Sequence, residues 1–236
     1  MRGDPNGTKG ETMKDSLQNI ADILAEPSAA FARLKSKPKW LLAMVIFCLF
    51  SVGTAWVTFP FIEQIMDQQL MEEGTPAEAI EIAKIVAKIF VFIGSLAAPI
   101  IWFLVISVIL TLVARLLAID DAIKFKHIYA AIVHASLISI LILLVNTALL
   151  VVFRDVETIK NAADMKIIPG LHLLLGSSEN VKLLTFLSYF NPLNLWYLAV
   201  LTIGIRVFAG IDKTKACLGA IIIWLLGIAL EVVFVS

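Results

Sequence analysis

Charged residues are scarce in this sequence, and four long stretches contain none. Only 16% of the 236 residues are Asp, Glu, Lys or Arg, whereas soluble domains carry about 25%. The 19 positive and 19 negative side chains cancel, so the basic surface expected of a nucleic-acid-binding protein is missing. The two cysteines, Cys48 and Cys217, are interpreted as small apolar packing residues rather than as a disulfide or a thiol site.

Catalytic motifs are also missing. The sequence contains no H-E-x-x-H, no G-x-S-x-G, no Walker motif and no Cys-x-x-Cys, each of which carries a known reaction or metal site. We therefore predict that the protein is not an enzyme and holds no cofactor.

A pair of histidines is the nearest approach to a metal site. His127 and His134 are seven residues apart and so share one face of a helix, but a metal ion needs further ligands. Asp120 and Asp121 are the obvious ones. We predict no metal site, and expect instead a solvated His127 at the membrane interface and a hydrogen-bonded His134 inside a helix bundle.

Long apolar runs dominate what is present. About 20 consecutive apolar residues cross the hydrocarbon core of a bilayer as a helix. Five runs have this length, and the last contains only one charged residue, Glu231: 40–62, 89–114, 128–153, 183–205 and 216–236. They predict an all-α, polytopic membrane helix bundle with five transmembrane helices, occupying residues 40–236, with the lipid bilayer as its main partner.

The distribution of basic residues predicts the orientation of the bundle. Counted on alternating sides of the five spans, Lys and Arg number 13 on the side of the N-terminus and six on the other side. Basic residues accumulate on the cytoplasmic side of membrane proteins. We therefore expect a cytoplasmic N-terminus and a C-terminus outside.

Two segments precede the first span. Residues 1–13 are polar and are expected to be a disordered tail or a sequence left from cloning. Residues 14–39 form an amphipathic interfacial segment that Pro27 divides into two helices, because proline suits the first turn of a helix. Its apolar residues fall near helical spacing: Leu17, Ile20, Leu24, Phe31 and Leu34.

Two interpretations of this segment remain open. In one, Phe31 and Leu34 anchor it in the inner leaflet, where the flanking Lys and Arg meet anionic lipid. In the other, the segment packs on the cytoplasmic ends of the bundle. Trp40 at the start of the first span is a further expected interface anchor.

The connection between the first two spans is expected to be a helical hairpin with the turn at "GTP", residues 74–76. Thr75 and Pro76 would start the second helix, which can run continuously from Ile82 to Leu117. Gly94 and Ala98 within it have the small-xxx-small spacing that lets a neighbouring helix approach.

The stretch "FNPLNLW", residues 190–196, begins the fourth span. Asn191 can cap a helix, Pro192 can occupy its first position, and Trp196 and Tyr197 suit the aromatic belt of the outer interface. The 18 residues from Pro192 to Ala209 then make about 27 Å of helix. The alternative interpretation is that the asparagines line a polar path.

Six polar residues within the spans are candidates for function, because polar groups are costly in a bilayer. Arg206 and Glu231 lie close enough to span ends to reach water. His134 and Asn146 are separated by about 120° around their helix, so they do not form a file of the kind a proton pump needs. The candidates are His134, Asn146, Asn191, Asn194, Arg206 and Glu231.

Two stretches resemble the Yip domain, a family of small five-span membrane proteins named as Ypt/Rab interactors, with many bacterial members. "EPSAAFARLKSKPKWLLAM" (26–44) resembles the family's approach to its first span. "LSYFNPLNLWYLAVLTIGIRVFAGIDKTKA" (187–216) resembles its late part, with an asparagine–proline and a tryptophan opening one span, and a glycine-bearing turn and an alanine leading into the last.

The resemblance covers about residues 26–236 and implies five spans with a cytoplasmic N-terminus. It is closest to the bacterial branch, which implies a bacterial inner membrane. Eukaryotic members carry an Asp-Leu-Tyr-Gly-Pro motif in the cytoplasmic arm, and this sequence has none, so Rab-type GTPase binding is not carried over.

Two functions follow as hypotheses. The first is a non-enzymatic scaffold, membrane-shaping factor or accessory subunit that acts through helix packing and its interfacial N-terminal helix, with other membrane proteins or its own copies as partners. The second is a small transporter or channel in which the six polar residues line a path.

Overall fold

The computed structural model describes residues 7–116, 124–176 and 180–234, and within these ranges the chain is helical without strands. Two short 3₁₀ turns, η1 (Val156–Thr158) and η2 (Leu171–Leu175), separate the sixth and seventh helices. The helices are α1 (Gly7–Ala25), α2 (Pro27–Ser36), α3 (Leu41–Glu72), α4 (Ala77–Leu116), α5 (Phe125–Ala135), α6 (Leu137–Phe153), α7 (Val181–Ser188), α8 (Pro192–Ala209) and α9 (Lys213–Phe234).

Five helical segments are long and apolar enough to cross a membrane, which confirms the predicted fold class. Four of them are α3, most of α4, α8 and α9. The fifth combines α5 and α6 as Phe125–Phe153, with one turn residue between them at Ser136, whose N–H donates to the carbonyl of Ile132 (2.9 Å). The protein is therefore a multi-pass membrane protein.

Helices begin and end where proline, glycine and capping residues predict a boundary. Pro27 begins α2. Gly74 lies in the left-handed region (φ 73°) between α3 and α4, which confirms the hairpin turn. Gly210 has φ 63°, and the Asp212 carboxylate next to it accepts a hydrogen bond from the N–H of Lys215 at 3.1 Å. This bond is the main reason that the pKa of Asp212 is lowered.

The N-terminal boundary differs from the sequence expectation. Helix α1 begins at Gly7, inside the stretch 1–13 for which the sequence predicts a tail, and residues 1–6 lie outside the described ranges. Once a helix has formed, each added residue contributes a further hydrogen bond, which accounts for the extension beyond the apolar pattern. The division into tail, interfacial segment and membrane domain stays a prediction.

Internal contacts divide the chain into two compact units. The first comprises described residues within 1–47, 100–139 and 196–223. Its buried residues include Ile23, Phe31 and Leu34 of the first two helices, and it contains α1, α2 and α5. It is the unit that holds the N-terminal arm, which we define as α1 and α2.

The second unit comprises described residues within 48–99, 140–195 and 224–236. One of its cores is formed by the buried Phe61, Leu150 and Ile159. Across the α3–α4 hairpin, Lys84 Nζ lies 2.8 Å from Asp67 Oδ2. Lys88 Nζ lies 5.7 Å from the centroid of the Trp56 ring, so two lysines of α4 link this helix to α3.

Candidate functional site

Helix α2 packs against protein through its apolar face. Ala30, Phe31 and Leu34 are 0% exposed, and the Phe31 ring meets the Phe208 ring edge-on with 6.1 Å between centroids. A Cβ atom on Gly204 would stand 3.0 Å from Cζ of Phe31, so only glycine leaves room for the ring. The sequence left open whether Phe31 and Leu34 face lipid or protein, and the structure buries both inside the first unit.

Polar contacts also hold the arm in place. The Arg33 guanidinium donates from Nε to Oδ1 of Asn19 at 2.7 Å and pairs with the carboxylate of Asp22, which joins α2 to α1. Lys35 Nζ donates to the backbone carbonyl of Val207 at 3.0 Å, which joins α2 to α8. Because Asn19 is itself buried, its hydrogen bond to Arg33 keeps the junction between α1 and α2 satisfied.

Helix α1, unlike α2, has an apolar face that is largely exposed. Met13, Leu17 and Leu24 are exposed, Leu17 by 50%, and Ile20 is half-buried. At 100° per residue these four lie within about 60° of arc. We call them the α1 stripe. The buried face of α1, at Asn19 and Ile23, lies roughly 110° away around the helix, so the stripe is not used in packing the arm.

A polar cavity of about 220 Å³ lies between the two helices of the arm. Lys39 Nζ lies 3.3 Å from Asp15 Oδ2 at its wall. Its lining contains three cationic side chains and one carboxylate. It is formed by Asp15, Gln18, Asn19, Arg33, Ser36, Lys37 and Lys39.

Two in-membrane candidates lie in the first unit. His134 is buried, and its Nδ1 lies 2.9 Å from the carbonyl oxygen of Ala130 one turn earlier. A carbonyl oxygen only accepts, so Nδ1 carries the proton. Arg206 is exposed in the last turn of α8. The two residues therefore have different environments: His134 is buried inside the unit and Arg206 is at its surface.

Asn146 and Glu231 each bind the segment that follows α6 through polar contacts. Asn146 Nδ2 donates to the carbonyl of Met165 at 2.8 Å, and its Oδ1 accepts from the N–H of Ile167 at 3.0 Å. One side chain therefore satisfies both backbone groups on either side of Lys166. Lys166 pairs with the Glu231 carboxylate, which also accepts from the Tyr189 hydroxyl.

The stretch "FNPLNLW" forms a helix corner, which confirms the predicted cap. Oδ1 of Asn191 accepts from the N–H of Asn194 at 3.0 Å, while Nδ2 donates to the carbonyl of Ser188 at 2.8 Å. Pro192 is the first residue of α8. Both asparagines are buried, and Asn191 uses its side chain to join the end of α7 to the start of α8.

Helix α2 and this corner both fall within one known domain. The Yip1 domain matches residues 21–234, nearly the whole chain. The chain belongs to the Yip1 domain family. No curated protein and no solved structure matches it. The matched range begins in the second half of α1 and ends with α9, so it includes the last five residues of α1, all of α2 and all five spans of this Yip1 protein.

The histidine pair of the Yip1 domain gains no further ligand in the described ranges. Nδ1 of His127 accepts a hydrogen bond from the N–H of Lys124 at 3.2 Å. Within residues 7–116, 124–176 and 180–234, no group of three His, Cys, Asp or Glu could hold a metal ion. Asp120 and Asp121 lie outside these ranges, so the expectation of no metal stays a prediction.

The expected tryptophan and tyrosine anchors of the Yip1 domain, unlike Phe31, are all half-buried. Trp40 precedes α3 and packs edge-on against Tyr129, with 5.0 Å between ring centroids. Trp196 and Tyr197 lie in the first two turns of α8. Their anchoring role stays a prediction, because each is partly covered by protein and partly open to its surroundings.

Proposed function

We propose that this Yip1 protein is a non-enzymatic membrane scaffold or accessory protein that acts through helix packing and an interfacial N-terminal helix. The interfacial helix is α1. The N-terminus is cytoplasmic, the C-terminus lies outside, and the membrane is the inner membrane of a bacterium. The observation that carries the proposal is the α1 stripe, an apolar face that a fixed arm presents outward.

The fixed arm makes the stripe useful for binding a membrane. Because α2 is locked to α8 by Phe31 and Lys35, and α1 is locked to α2 by Arg33, the stripe has a set position at the surface of the first unit. Burying one leucine side chain in an apolar phase gains about 1.5–3 kcal/mol. Several such residues on one helix face suit the boundary between headgroups and acyl chains.

Basic residues at the end of the arm support the same location. Lys39 is two residues before Leu41, the first residue of the membrane-crossing α3, and two Cα–Cα steps cover at most about 8 Å. The headgroup layer is about 5–8 Å thick on each side of the hydrocarbon core. Lys39 thus lies at headgroup depth, where anionic lipids attract cations.

The transporter hypothesis receives less support from the six polar residues. Asn146, Asn191 and Glu231 are bonded to the protein's own backbone or side chains, and His134 bonds within its own helix. Polar groups used in this way stabilise a helix bundle without needing a solute.

Placing a charge in the α1 stripe is expected to lift α1 from the membrane. In a background with Cys48→Ser and Cys217→Ser, an NBD fluorophore on Met13→Cys should emit at short wavelength when the protein is in liposomes containing anionic lipid. Leu17→Asp should shift this emission to the red, because it removes a leucine from the boundary and adds a charge. At about 1.5–3 kcal/mol per leucine, the docked fraction should fall at least tenfold.

Ala25→Asp is the matched control, since it adds the same charge at an exposed position of α1 that lies outside both the stripe and the cavity lining. It should leave the emission unchanged. The proposal would be contradicted if the fluorophore in the parent protein emitted at the long wavelength typical of water, or if both variants shifted its emission equally. The scaffold role is tested in the same liposomes by their size distribution, which Leu17→Asp should return toward that of protein-free vesicles. Solute flux that His134→Ala abolishes would favour the transporter instead.

A further inference from the structure

The connection between α6 and α8 contains an element with inverted polarity. Leu173 and Leu174 of η2 are 61% and 81% exposed, and Leu183 and Phe186 of α7 are also exposed, whereas Thr185 and Ser188 on the same helix are buried. A surface element in water shows the opposite arrangement. Apolar side chains turned outward with hydroxyls turned inward are expected where the surroundings are hydrocarbon.

The inverted face carries almost no charge. Residues 167–176 contain no Lys, Arg, Asp or Glu. The pKa of His172, the one titratable residue in this stretch, is lowered by its burial and by the nearby charge of Lys166, so its ring is neutral at pH 7. The buried hydroxyl of Ser188 donates to the carbonyl of Thr185 at 2.6 Å. The inward side therefore satisfies Ser188 locally, while the outward side offers apolar groups with one cation, the exposed Lys182 of α7.

The two parts of this element are held together at the "FNPLNLW" corner. The N–H of Leu171 donates to the carbonyl of Phe190 at 3.2 Å. A Cβ atom on Gly170 would stand 3.1 Å from that same oxygen and 3.2 Å from the carbonyl oxygen of Ser188. Gly170 thus lets η2 lie directly on the end of α7, and the leucines of both parts form one surface.

This surface continues into the lipid-facing side of a membrane span. Helix α7 ends at Ser188, and the membrane-crossing α8 begins four residues later at Pro192. The exposed Leu195 is in the first turn of α8. Because α8 crosses the bilayer, its first turn lies at the hydrocarbon boundary, and the apolar face of α7 adjoins that boundary along the chain.

We propose that η2 and α7 form a leucine wedge that inserts into the membrane interface at the point where α8 enters the bilayer. Its partner is lipid, at the level between headgroups and acyl chains. A wedge that enters only this shallow layer occupies area among the headgroups of one leaflet and not among the acyl chains below. The wedge is separate from the α1 stripe, and either can fail without the other.

The test uses spin labels on the full-length protein in liposomes of phosphatidylethanolamine and phosphatidylglycerol, with Cys48→Ser and Cys217→Ser as background. A label at Leu174→Cys should collide more with oxygen, which concentrates in hydrocarbon, than with a water-soluble nickel complex. A label at Glu157→Cys, an exposed polar site on η1 in the same connection, is the matched control and should show the opposite preference.

A second label at Leu183→Cys on α7 tests whether the result at Leu174 reflects only a local disturbance caused by that label. It should share the preference for oxygen. Collision with nickel at both Leu174 and Leu183 to the same extent as at Glu157 would overturn the proposal. So would spectral broadening at Leu174 that disappears on dilution with unlabelled protein, since this outcome assigns the surface to a second copy of the chain.

Discussion

Replacing Phe31 with aspartate is expected to release the N-terminal arm from the protein. The ring is 0% exposed and packs on Phe208. Removing a buried phenylalanine side chain costs about 3–5 kcal/mol, and an unpaired buried charge adds to this. Trypsin cleavage after Lys35 and Lys39 in the detergent-solubilised full-length protein should become much faster, because these bonds are protected only while α2 stays packed.

Leu17→Asp provides the matched control, because it places the same charge on the exposed side of the arm. Its trypsin cleavage should equal that of the parent. A second route to the same effect is Gly204→Val, whose side chain collides with the Phe31 ring. Adding Phe31→Leu should recover part of the loss, as expected for residues in direct contact. Parental cleavage rates in Phe31→Asp would show that α2 is not packed as described.

Replacing Asn146 with leucine is expected to open the connection around Lys166. The change removes the hydrogen bonds to the carbonyl of Met165 and the N–H of Ile167. A backbone group that loses its partner in a partly buried place costs about 1–3 kcal/mol, so two cost at least about 2 kcal/mol. Amide hydrogen exchange, followed by mass spectrometry of a peptide covering 160–170, should therefore accelerate at least about thirtyfold.

Thr147→Val is the matched control for this experiment. Thr147 is the next residue in α6 and is buried, but its hydroxyl has no hydrogen-bond partner among the residues that the structure describes. Removing that hydroxyl should leave exchange in 160–170 unchanged. Equal exchange in Asn146→Leu and in the parent would mean that the side chain of Asn146 does not hold the connection.

The features that the sequence predicted well depend on a few consecutive residues. Pro27 fixes the start of α2 because a proline ring sets the helical φ angle and lacks the N–H that a first turn does not need. Gly74 supports a left-handed turn that other residues avoid. Asn191 reaches a backbone N–H three residues away. Each of these effects is local, as is the accumulation of apolar residues that defines a membrane span.

The features that the sequence could not predict depend on contacts distant in the chain. Phe31 and Leu17 belong to the same amphipathic pattern, yet one is buried and the other exposed, because periodicity identifies an apolar face without identifying its partner. Gly204 has no motif that distinguishes it from Gly94, but a Cβ on Gly204 would touch Phe31, while one on Gly94 would have no described atom within 4 Å. Asn146 likewise satisfies backbone groups about 20 residues away.

The length of the α3–α4 hairpin has a consequence for how closely other surfaces can approach. Helix α3 has 32 residues, or about 48 Å at 1.5 Å per residue, against a hydrocarbon core of about 30 Å. Its surplus end and the start of α4 carry six carboxylates and two lysines: Glu63, Asp67, Glu72, Glu73, Glu78, Glu81, Lys84 and Lys88. The hairpin end is therefore acidic, and anionic headgroups repel it over the Debye length of about 8 Å at physiological salt. A second bilayer meeting this face would be kept at a distance, as if by a spacer.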